Sequence, residues 1–223
     1  MTIADVLKVT GVAGCHASDL MPPEVWLQLQ EFAQAFEDSP KVQEAKEKHA
    51  RGESQEGRKA FLVKLREESQ QWFEDILCHV GRAMIPIVRE AYGPEMNFFA
   101  ADMWHVFPSP GKEREWSQNW HRDPESDTVV KAMLFFWDVD DEAGPTQYVI
   151  GSHAGKYADL ANDRSYANYG AADKIKDEDV ATLTVRAGSI VFLVTSGLHR
   201  GGYARSKPRL SATWTFIKGA LMC

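Results

Sequence analysis

The chain has 223 residues, of which 44% are hydrophobic and 26% are charged, a composition typical of a globular protein with one domain. Asp and Glu outnumber Lys and Arg by 32 to 25, which argues against a nucleic-acid-binding protein, since such proteins need a basic face. No apolar run reaches the length of about 20 residues that a membrane helix needs. The chain also starts without the apolar core of a signal peptide. We therefore expect a cytoplasmic protein that binds neither nucleic acid nor membranes.

The cysteine content favours the same compartment. The chain has 3 cysteines, Cys15, Cys78 and Cys223, which are far apart and form no Cys-x-x-Cys motif. An odd number of widely spaced cysteines does not suggest a disulfide framework. We therefore expect a reducing environment.

The first part of the chain, residues 1–95, has the hydrophobic spacing of helices. A Pro-Pro pair at 22–23 opens one amphipathic segment, and residues 42–50 form a charged one. Residues 61–80 carry the strongest helical pattern, because their apolar side chains recur three and four positions apart. We expect Pro86 to kink or end that helix, because proline has no N–H for the helical hydrogen bonds.

The second part, residues 96–223, has short β-rich segments separated by turn residues. We predict strands at residues 97–107, 129–139, 146–150, 182–185, 189–195 and 211–217. Several short antiparallel strands are typical of a sandwich or jelly roll. Helices followed by strands indicate an α+β protein with the helices on one side of a β core. We thus expect one domain, 1–223, with a mainly helical part and a β-rich catalytic part.

A His-x-Asp motif is the first candidate metal site. His121 and Asp123 are two residues apart, so both side chains point the same way on an extended segment. His199, just after a strongly apolar strand, supplies a second imidazole. Two histidines and one carboxylate on one face of a metal form the ligand set of non-haem iron(II) oxygenases. The His-x-Asp motif alone has little specificity, because many proteins contain one by chance.

A candidate carboxylate-binding pair follows. Arg209 lies ten residues after His199, and Ser211 comes next on the same strand face. A guanidinium can bind a carboxylate through two parallel hydrogen bonds, and a hydroxyl can add a third. The pair could hold the far carboxylate of 2-oxoglutarate. Considered by itself, Arg209 is better explained as a surface arginine.

Several further motifs stand in a fixed order. They are Trp-His-Arg-Asp at 120–123, Gly-Pro at 144–145, Ile-Gly-Ser-His at 150–153, Ala-Gly-Ser at 187–189, Leu-His-Arg-Gly at 198–201 and Arg-Leu-Ser at 209–211. Ordered, spaced motifs are more specific than any one of them. Over roughly residues 97–217 they resemble the phytanoyl-CoA dioxygenase-like family of iron(II)/2-oxoglutarate oxygenases.

The resemblance implies a double-stranded β-helix, a cupin-like jelly roll with the metal in its mouth. It implies His121, Asp123 and His199 as ligands of Fe(II), Arg209 with Ser211 as the anchor of the co-substrate 2-oxoglutarate, and O₂ as the oxidant. Halogenating relatives replace the carboxylate ligand with a small residue, whereas Asp123 is present here. The resemblance therefore points to hydroxylation of an unactivated C–H bond of a small-molecule metabolite, with release of succinate and CO₂.

Strand alternation suggests further contacts with the co-substrate. His105 shares a strand face with Phe107 and is a candidate for such a contact, although a buried structural histidine explains it almost as well. Lys131 and Met133 share a face of the next strand and could line the pocket, but a core strand would show the same pattern.

The substrate is open, and so is its entry path. The polar segment 154–179 could be a lid or an ordinary surface loop. Arginines with aromatic residues near the mouth would suit a carboxylate or phosphate, although exposed loops often contain them. These residues are Arg114, Trp116, Gln118, Arg122, Arg164, Tyr166 and Tyr169. The oligomeric state is not predicted.

Two other classes stay open. A cupin-like metal-dependent isomerase or epimerase would not need Arg209 and Ser211 at their positions. A non-catalytic jelly-roll binding protein would not need the complete His-Asp-His set, although a fold alone does not establish an activity.

Overall fold

The computed structural model describes residues 1–53, 62–64, 71–109, 114, 116–123, 128–160 and 173–219. The α-helices of this part of the chain are α1 (Ile3–Thr10), α2 (Pro23–Glu37), α3 (Pro40–Ala50) and α4 (Gln71–Tyr92). Its strands are β1 (Val12–His16), β2 (Leu62–Lys64), β3 (Met96–Val106), β4 (Val130–Phe135), β5 (Gln147–Val149), β6 (Val180–Thr182), β7 (Ser189–Val194), β8 (His199–Arg200) and β9 (Arg209–Lys218).

Two antiparallel sheets form the β core. The larger sheet has six strands in the order β1-β7-β4-β9-β3-β2, and the smaller has three in the order β6-β5-β8. An isolated antiparallel bridge between His121 and His199 extends the smaller sheet beyond β8. This arrangement confirms the expected α+β class and is that of a double-stranded β-helix.

The helices pack against one face of the six-stranded sheet. Trp214 and Phe216 on β9 lie in one buried apolar cluster with Leu29 of α2 and Met84 of α4. The indole Nε1 of Trp214 also donates a 2.8 Å hydrogen bond to the carbonyl oxygen of Leu77 in α4. Burial of apolar surface is the main stabilising term here, and the hydrogen bond fixes the position of α4 on the sheet.

The opposite face of the six-stranded sheet carries the polar candidates. Residues directly opposite each other in neighbouring strands point to the same face. Met133 of β4 pairs with Thr213 of β9, and Ser211 of β9 pairs with Trp104 of β3. Lys131, two residues before Met133, lies on this face as well. The sheet therefore separates a helix-covered core from a face available for chemistry.

The long helix differs from its prediction at both ends. It begins at Gln71, and Leu62–Lys64 instead forms the edge strand β2, which pairs with β3. Pro86 lies inside α4, which continues to Tyr92, so the expectation that it might end the helix is wrong. Met84 and Val88 are fully buried on either side of it, and this packing outweighs one missing backbone hydrogen bond.

Two strands of the larger sheet come from the part expected to be mainly helical. β1 pairs with β7 at one edge of the sheet, and β2 pairs with β3 at the other. The short helix α1, which we did not predict, has a Thr2–Asp5 capping box at its start. The assignment of one domain with parts at 1–95 and 96–223 stays a prediction.

Three other expectations concern the whole chain. Of the predicted loop 154–179, residues 161–172 lie outside the described part. In place of the strand expected at 182–185, the chain forms β6 at Val180–Thr182.

Cys15 is a free thiol and Cys78 is disulfide-bonded, a bond that the cysteine spacing did not predict. Among the described helices, none combines the length and the apolar character needed to cross a bilayer.

Candidate metal centre

His121, Asp123 and His199 come together as one buried group. One potential ligand atom from each residue lies within 4.8 Å of those of the other two. The Nε2 atom of His121 is 3.7 Å from Oδ1 of Asp123, and Nε2 of His199 is 3.8 Å from Oδ2. The three side chains, drawn from two distant stretches of chain, thus converge on a space that fits one cation.

Backbone hydrogen bonds hold the two stretches together. The N–H groups of His121 and His199 each donate to the carbonyl oxygen of the other residue, both at 3.0 Å. The N–H of Asp123 donates to the carbonyl oxygen of Thr195 at 2.9 Å. These bonds place the residues before β8 beside the His-x-Asp segment, so that all three side chains point into the same space.

The orientation of both imidazoles directs Nε2 toward Asp123. Nδ1 of His121 donates to the carbonyl oxygen of Asn119 at 2.8 Å, and Nδ1 of His199 donates to that of Gly197 at 2.9 Å. Since a carbonyl can only accept, Nδ1 carries a proton, and in a neutral ring the lone pair that can bind a metal is then on Nε2. Burial, and next the nearby His199, lower the pKa of His121 to about 3. His121 is therefore neutral at neutral pH.

The carboxylate of Asp123 is paired with Lys131. Nζ of Lys131 lies 2.6 Å from Oδ2 of Asp123. Burial alone would raise the pKa of Asp123, but the adjacent His199 and the charge and hydrogen bond of Lys131 outweigh it and hold that pKa below its usual value. The third candidate ligand is therefore an ionised carboxylate.

This donor set suits iron. Two imidazoles and one ionised carboxylate, all buried and each held in place by a hydrogen bond, match the ligands of non-haem iron(II) sites. Three protein donors leave coordination positions of a six-coordinate ion for other ligands. The same donors would also bind other divalent transition metals, since such sites select by geometry and availability.

Arg209 lies buried at the start of β9. One terminal nitrogen donates to the carbonyl oxygen of Gly144, while its buried Nε has no hydrogen-bond partner among the described residues. Burial lowers the pKa of Arg209 to about 10, so the group is charged at neutral pH. A buried cation with an unused donor is the kind of group that binds an acidic ligand. Ser211 follows on the same strand face.

His105 does not belong to this site. It lies on the other face of β3, where Nδ1 is 2.7 Å from a carboxylate oxygen of Glu37 in α2 and the ring contacts Phe107 at a centroid distance of 4.4 Å. The proposed co-substrate contact is therefore wrong, and His105 is a structural histidine. The alternation of side chains along β3 assigns them to two faces, but it does not show which face is directed at the metal-ligand group. The register with Ser211 places Trp104 on the inner one.

Arg122 also has a structural role rather than a substrate contact. Its guanidinium donates to four carbonyl oxygens, those of Ser152, Tyr157, Leu160 and Ser196, at 2.5 to 3.4 Å. It points away from the metal ligands on either side of it and ties their segment to two loops. The sequence shows an arginine there but not the carbonyls around it.

The other candidates have mixed outcomes. Lys131 contacts a ligand, and Met133 lies on the same face, packed beside buried apolar residues. Nε2 of His153 hydrogen-bonds to the carbonyl oxygen of Lys8 at 2.9 Å, which is a structural contact. Arg164, Tyr166 and Tyr169 lie outside the described residues, as does the side chain of Trp116.

The fold is shared with several solved structures. The epimerase SnoN in complex with Fe3+, alpha ketoglutarate and nogalamycin RO is 18% identical over 97% of this chain and 82% of its own, with a TM-score of 0.62. EctD from S. alaskensis with 2-oxoglutarate and 5-hydroxyectoine is 14% identical over 96% and 74%, with a TM-score of 0.65. AviO1 from Streptomyces viridochromogenes Tue57 is 17% identical over 98% and 94%, with a TM-score of 0.61. At these identities the likeness shows the fold alone.

The sequence itself identifies the family. No protein of curated function matches the chain, but the phytanoyl-CoA dioxygenase (PhyH) family matches residues 14–209. That span includes the His-Asp-His group and reaches Arg209. The match confirms, at the level of the family, the expected cofactors Fe(II), 2-oxoglutarate and O₂. The chain belongs to the phytanoyl-CoA dioxygenase family of iron- and 2-oxoglutarate-dependent enzymes.

Proposed function

We propose that this protein is an iron(II)- and 2-oxoglutarate-dependent dioxygenase that hydroxylates a C–H bond of a small-molecule metabolite. The observation that carries the proposal is the convergence of His121, Asp123 and His199, whose ligand atoms lie within 4.8 Å of one another in a buried site. Two imidazoles and an ionised carboxylate supply the donors that this chemistry needs. The family match supports the same reaction class.

These three residues are the proposed iron ligands. With 2-oxoglutarate and O₂, the iron supplies the oxidising chemistry, in which 2-oxoglutarate is converted to succinate and CO₂ and one oxygen atom reaches the substrate. The protein holds the ligands in one geometry through the hydrogen bonds on Nδ1 of both histidines. It also excludes bulk water from the ligand atoms by burying them.

Arg209 is the proposed anchor of 2-oxoglutarate, with the hydroxyl of Ser211 as a third donor. The buried guanidinium has an Nε donor without a described partner, and a bidentate carboxylate would use that donor and neutralise the charge. The carbonyl oxygen of Gly144 accepts a hydrogen bond from Arg209, and this bond would hold the arginine side chain in position.

Lys131 and Met133 are proposed to line the same site. By holding Oδ2 of Asp123, Lys131 leaves Oδ1 as the oxygen available for the metal. Its ammonium group lies on the open side of the sheet, where it would also attract a dicarboxylate. Met133 supplies apolar surface on the same strand face.

Enzymes with this fold carry out more than one reaction. The similar structures include an alpha ketoglutarate dependent epimerase and a carbocyclase, so one fold carries several outcomes. An assay should therefore measure the consumption of 2-oxoglutarate first and the product second. A metal-dependent isomerase that does not use 2-oxoglutarate would release no succinate.

The test is substrate-stimulated release of succinate. The protein is supplied with Fe(II), ascorbate, 2-oxoglutarate and air, and a panel of small metabolites, acidic ones included, is screened for extra succinate and for a product with one added oxygen atom. Arg209→Gln should raise the KM for 2-oxoglutarate by about tenfold or more, because it removes charge-assisted hydrogen bonds. Arg82→Gln, a change at an exposed site on α4, is the matched control. A product formed without succinate would contradict the proposal.

A further inference from the structure

The outer face of the three-stranded sheet carries a second polar site. His199 on β8 points inward to the metal-ligand group, so Arg200, the next residue, points outward. Gln147 is the cross-strand neighbour of Arg200, and Nε of Arg200 donates to its side-chain oxygen at 2.6 Å. Side chains on this face are thus separated from the metal ligands by the thickness of one sheet.

A pocket of about 270 Å³ opens on this outer face. Its polar lining comes from Arg114, Arg205, Gln147, Thr182, Tyr203 and Asp141. None of the three candidate metal ligands is among the described residues that line it. Drug-sized ligands occupy pockets of roughly 300–1,000 Å³, so this one fits a compact metabolite.

Three arginines lie in or beside the pocket. The guanidinium of Arg114 lies 5.8 Å from the ring centre of Tyr203 and donates one hydrogen bond, to the carbonyl oxygen of Gln118. Arg205 is exposed at the rim. Arg200 lies over the ring of Trp120 at 4.4 Å. Among the described residues, no carboxylate forms an ion pair with any of these three arginines, and most of their side-chain N–H groups have no hydrogen-bond partner there.

The arginines repel one another. Burial lowers the pKa of Arg114, and the charge of Arg205 adds to that effect. Burial also lowers the pKa of Arg200 to about 10, with a contribution from Arg114. This clustering of positive charge stands out in a chain whose formal net charge is −7. A bound anion would relieve the repulsion and use the free donors together.

Near the pocket, the carboxylates of the described residues do not neutralise the cluster. Asp140 pairs with Lys207, and a carboxylate oxygen of Glu142 accepts a hydrogen bond from Ser206 at 2.6 Å. Asp141, which is exposed at the rim, is the acidic side chain that lines the pocket. Its negative charge would weaken the binding of an anion, so removal of that charge tests whether the ligand is an anion.

We propose that this pocket is a second ligand site, separate from the iron centre, that binds a small, multiply charged oxyanion. Arg114 and Arg205 contact the ligand, and Arg200 adds charge from beside the pocket. Planar guanidinium groups bind both phosphate and carboxylate oxygens, so the shared chemistry is a compact molecule that carries phosphate groups or several carboxylates.

The proposal is tested by calorimetric titration with pyrophosphate, citrate and inorganic phosphate. We expect saturable binding of one equivalent that weakens as the salt concentration rises, and the strongest of the three ligands separates a phosphate site from a carboxylate site. Arg114→Gln and Arg205→Gln should each weaken binding by about tenfold. Asp141→Asn should strengthen it severalfold, because it removes the opposing charge.

Two controls separate this pocket from the iron centre and from nonspecific attraction. Asp123→Ala, which removes a proposed metal ligand, should leave anion binding unchanged. Arg82→Gln, which removes an exposed charge on α4, should also leave it unchanged. The proposal is overturned if the wild-type protein binds none of the three anions, if Arg205→Gln binds them as tightly as wild type, or if Asp123→Ala abolishes binding. Arg205 is exposed, so its variant is expected to fold, and circular dichroism checks this.

Discussion

Asp123 is the residue on which the proposed centre depends most. Its buried carboxylate lies close to both histidines and accepts a hydrogen bond from Lys131. A buried carboxylate needs compensating charge, and without a metal that charge comes from Lys131. A bound cation would take over much of this role. Lys131 therefore stabilises the metal-free form of the site in particular.

This reasoning predicts the behaviour of Lys131→Met. In the metal-free protein, the substitution should lower the free energy of unfolding by about 1–3 kcal/mol, because it leaves a buried carboxylate without its main partner. Adding Mn(II), which stays divalent in air, should reduce that deficit. Urea denaturation with and without metal measures both values. Lys207→Met, which removes an exposed ion pair, should change little in either condition. An equal deficit with and without metal would show that Lys131 does not compensate for the missing cation.

Individual site residues could be predicted from the sequence where they occur in ordered motifs. His121, Asp123 and His199 could be identified because their motifs have fixed neighbours along the chain. His105 could not be placed, since alternation divides a strand into two faces without identifying the inner one. Arg122 could not be placed either, because its partners are backbone carbonyls from two loops, and no residue type encodes them.

The contact between α2 and β3 shows how an element is positioned by charge. Glu37, at the end of α2, lies 2.7 Å from His105 on β3 and 2.5 Å from Lys46 on α3. Burial alone would raise the pKa of Glu37, but the hydrogen bonds from His105 and Lys46 outweigh it and lower that pKa. One carboxylate thus links two helices to the sheet.

Glu37→Gln should therefore destabilise the protein in a pH-dependent way. We expect a loss of about 1–2 kcal/mol at pH 7, where the carboxylate is ionised. Because the folded pKa is lowered, this stability is present above the ordinary glutamate pKa of about 4.3 and is lost as the pH falls through the folded value. Urea denaturation between pH 7 and pH 3 measures the difference. Glu44→Gln, in an exposed helical pair with Lys48, is the control. A loss that stays constant over this range would contradict the ion-pair explanation.

The elements were predictable where one local signal dominates. The paired prolines and the apolar spacing gave α2, and runs of apolar and β-branched residues gave β7 and β9. β2 was missed because its residues fit a helical period, and pairing with β3 decided the outcome instead. The end of α4 was missed because core packing around Pro86 outweighs a local penalty.

In the whole molecule, the two faces of the six-stranded sheet have different roles. One face packs against the helices and stabilises the fold, and the other carries residues of the proposed site. The helix-facing side holds several of the largest buried side chains, Trp214 and Phe216 among them. The other side holds Ser211 and Thr213, the immediate sequence neighbours of the residues that face the helices. A change on the helix-facing side should therefore alter stability and leave the ligand site intact.

Trp214→Phe tests this division. It removes the hydrogen bond to the carbonyl oxygen of Leu77 and some buried volume, so we expect a loss of about 1–3 kcal/mol in the free energy of unfolding. At temperatures where the variant is folded, its affinity for metal and 2-oxoglutarate should equal that of the wild type. Thermal denaturation and equilibrium binding give the two values. A folded variant with weakened 2-oxoglutarate binding would show that the two faces are coupled.

The proposed activity requires that His121, Asp123 and His199 bind one iron ion that in turn binds 2-oxoglutarate. The most direct measurement is anaerobic titration of the metal-free protein with Fe(II) in the presence of 2-oxoglutarate, followed by visible absorption. We expect one equivalent of iron to produce a weak charge-transfer band that is lost in His199→Ala and retained in the control His16→Ala. Absence of the band in the wild-type protein, or an undiminished band in His199→Ala, would contradict the account.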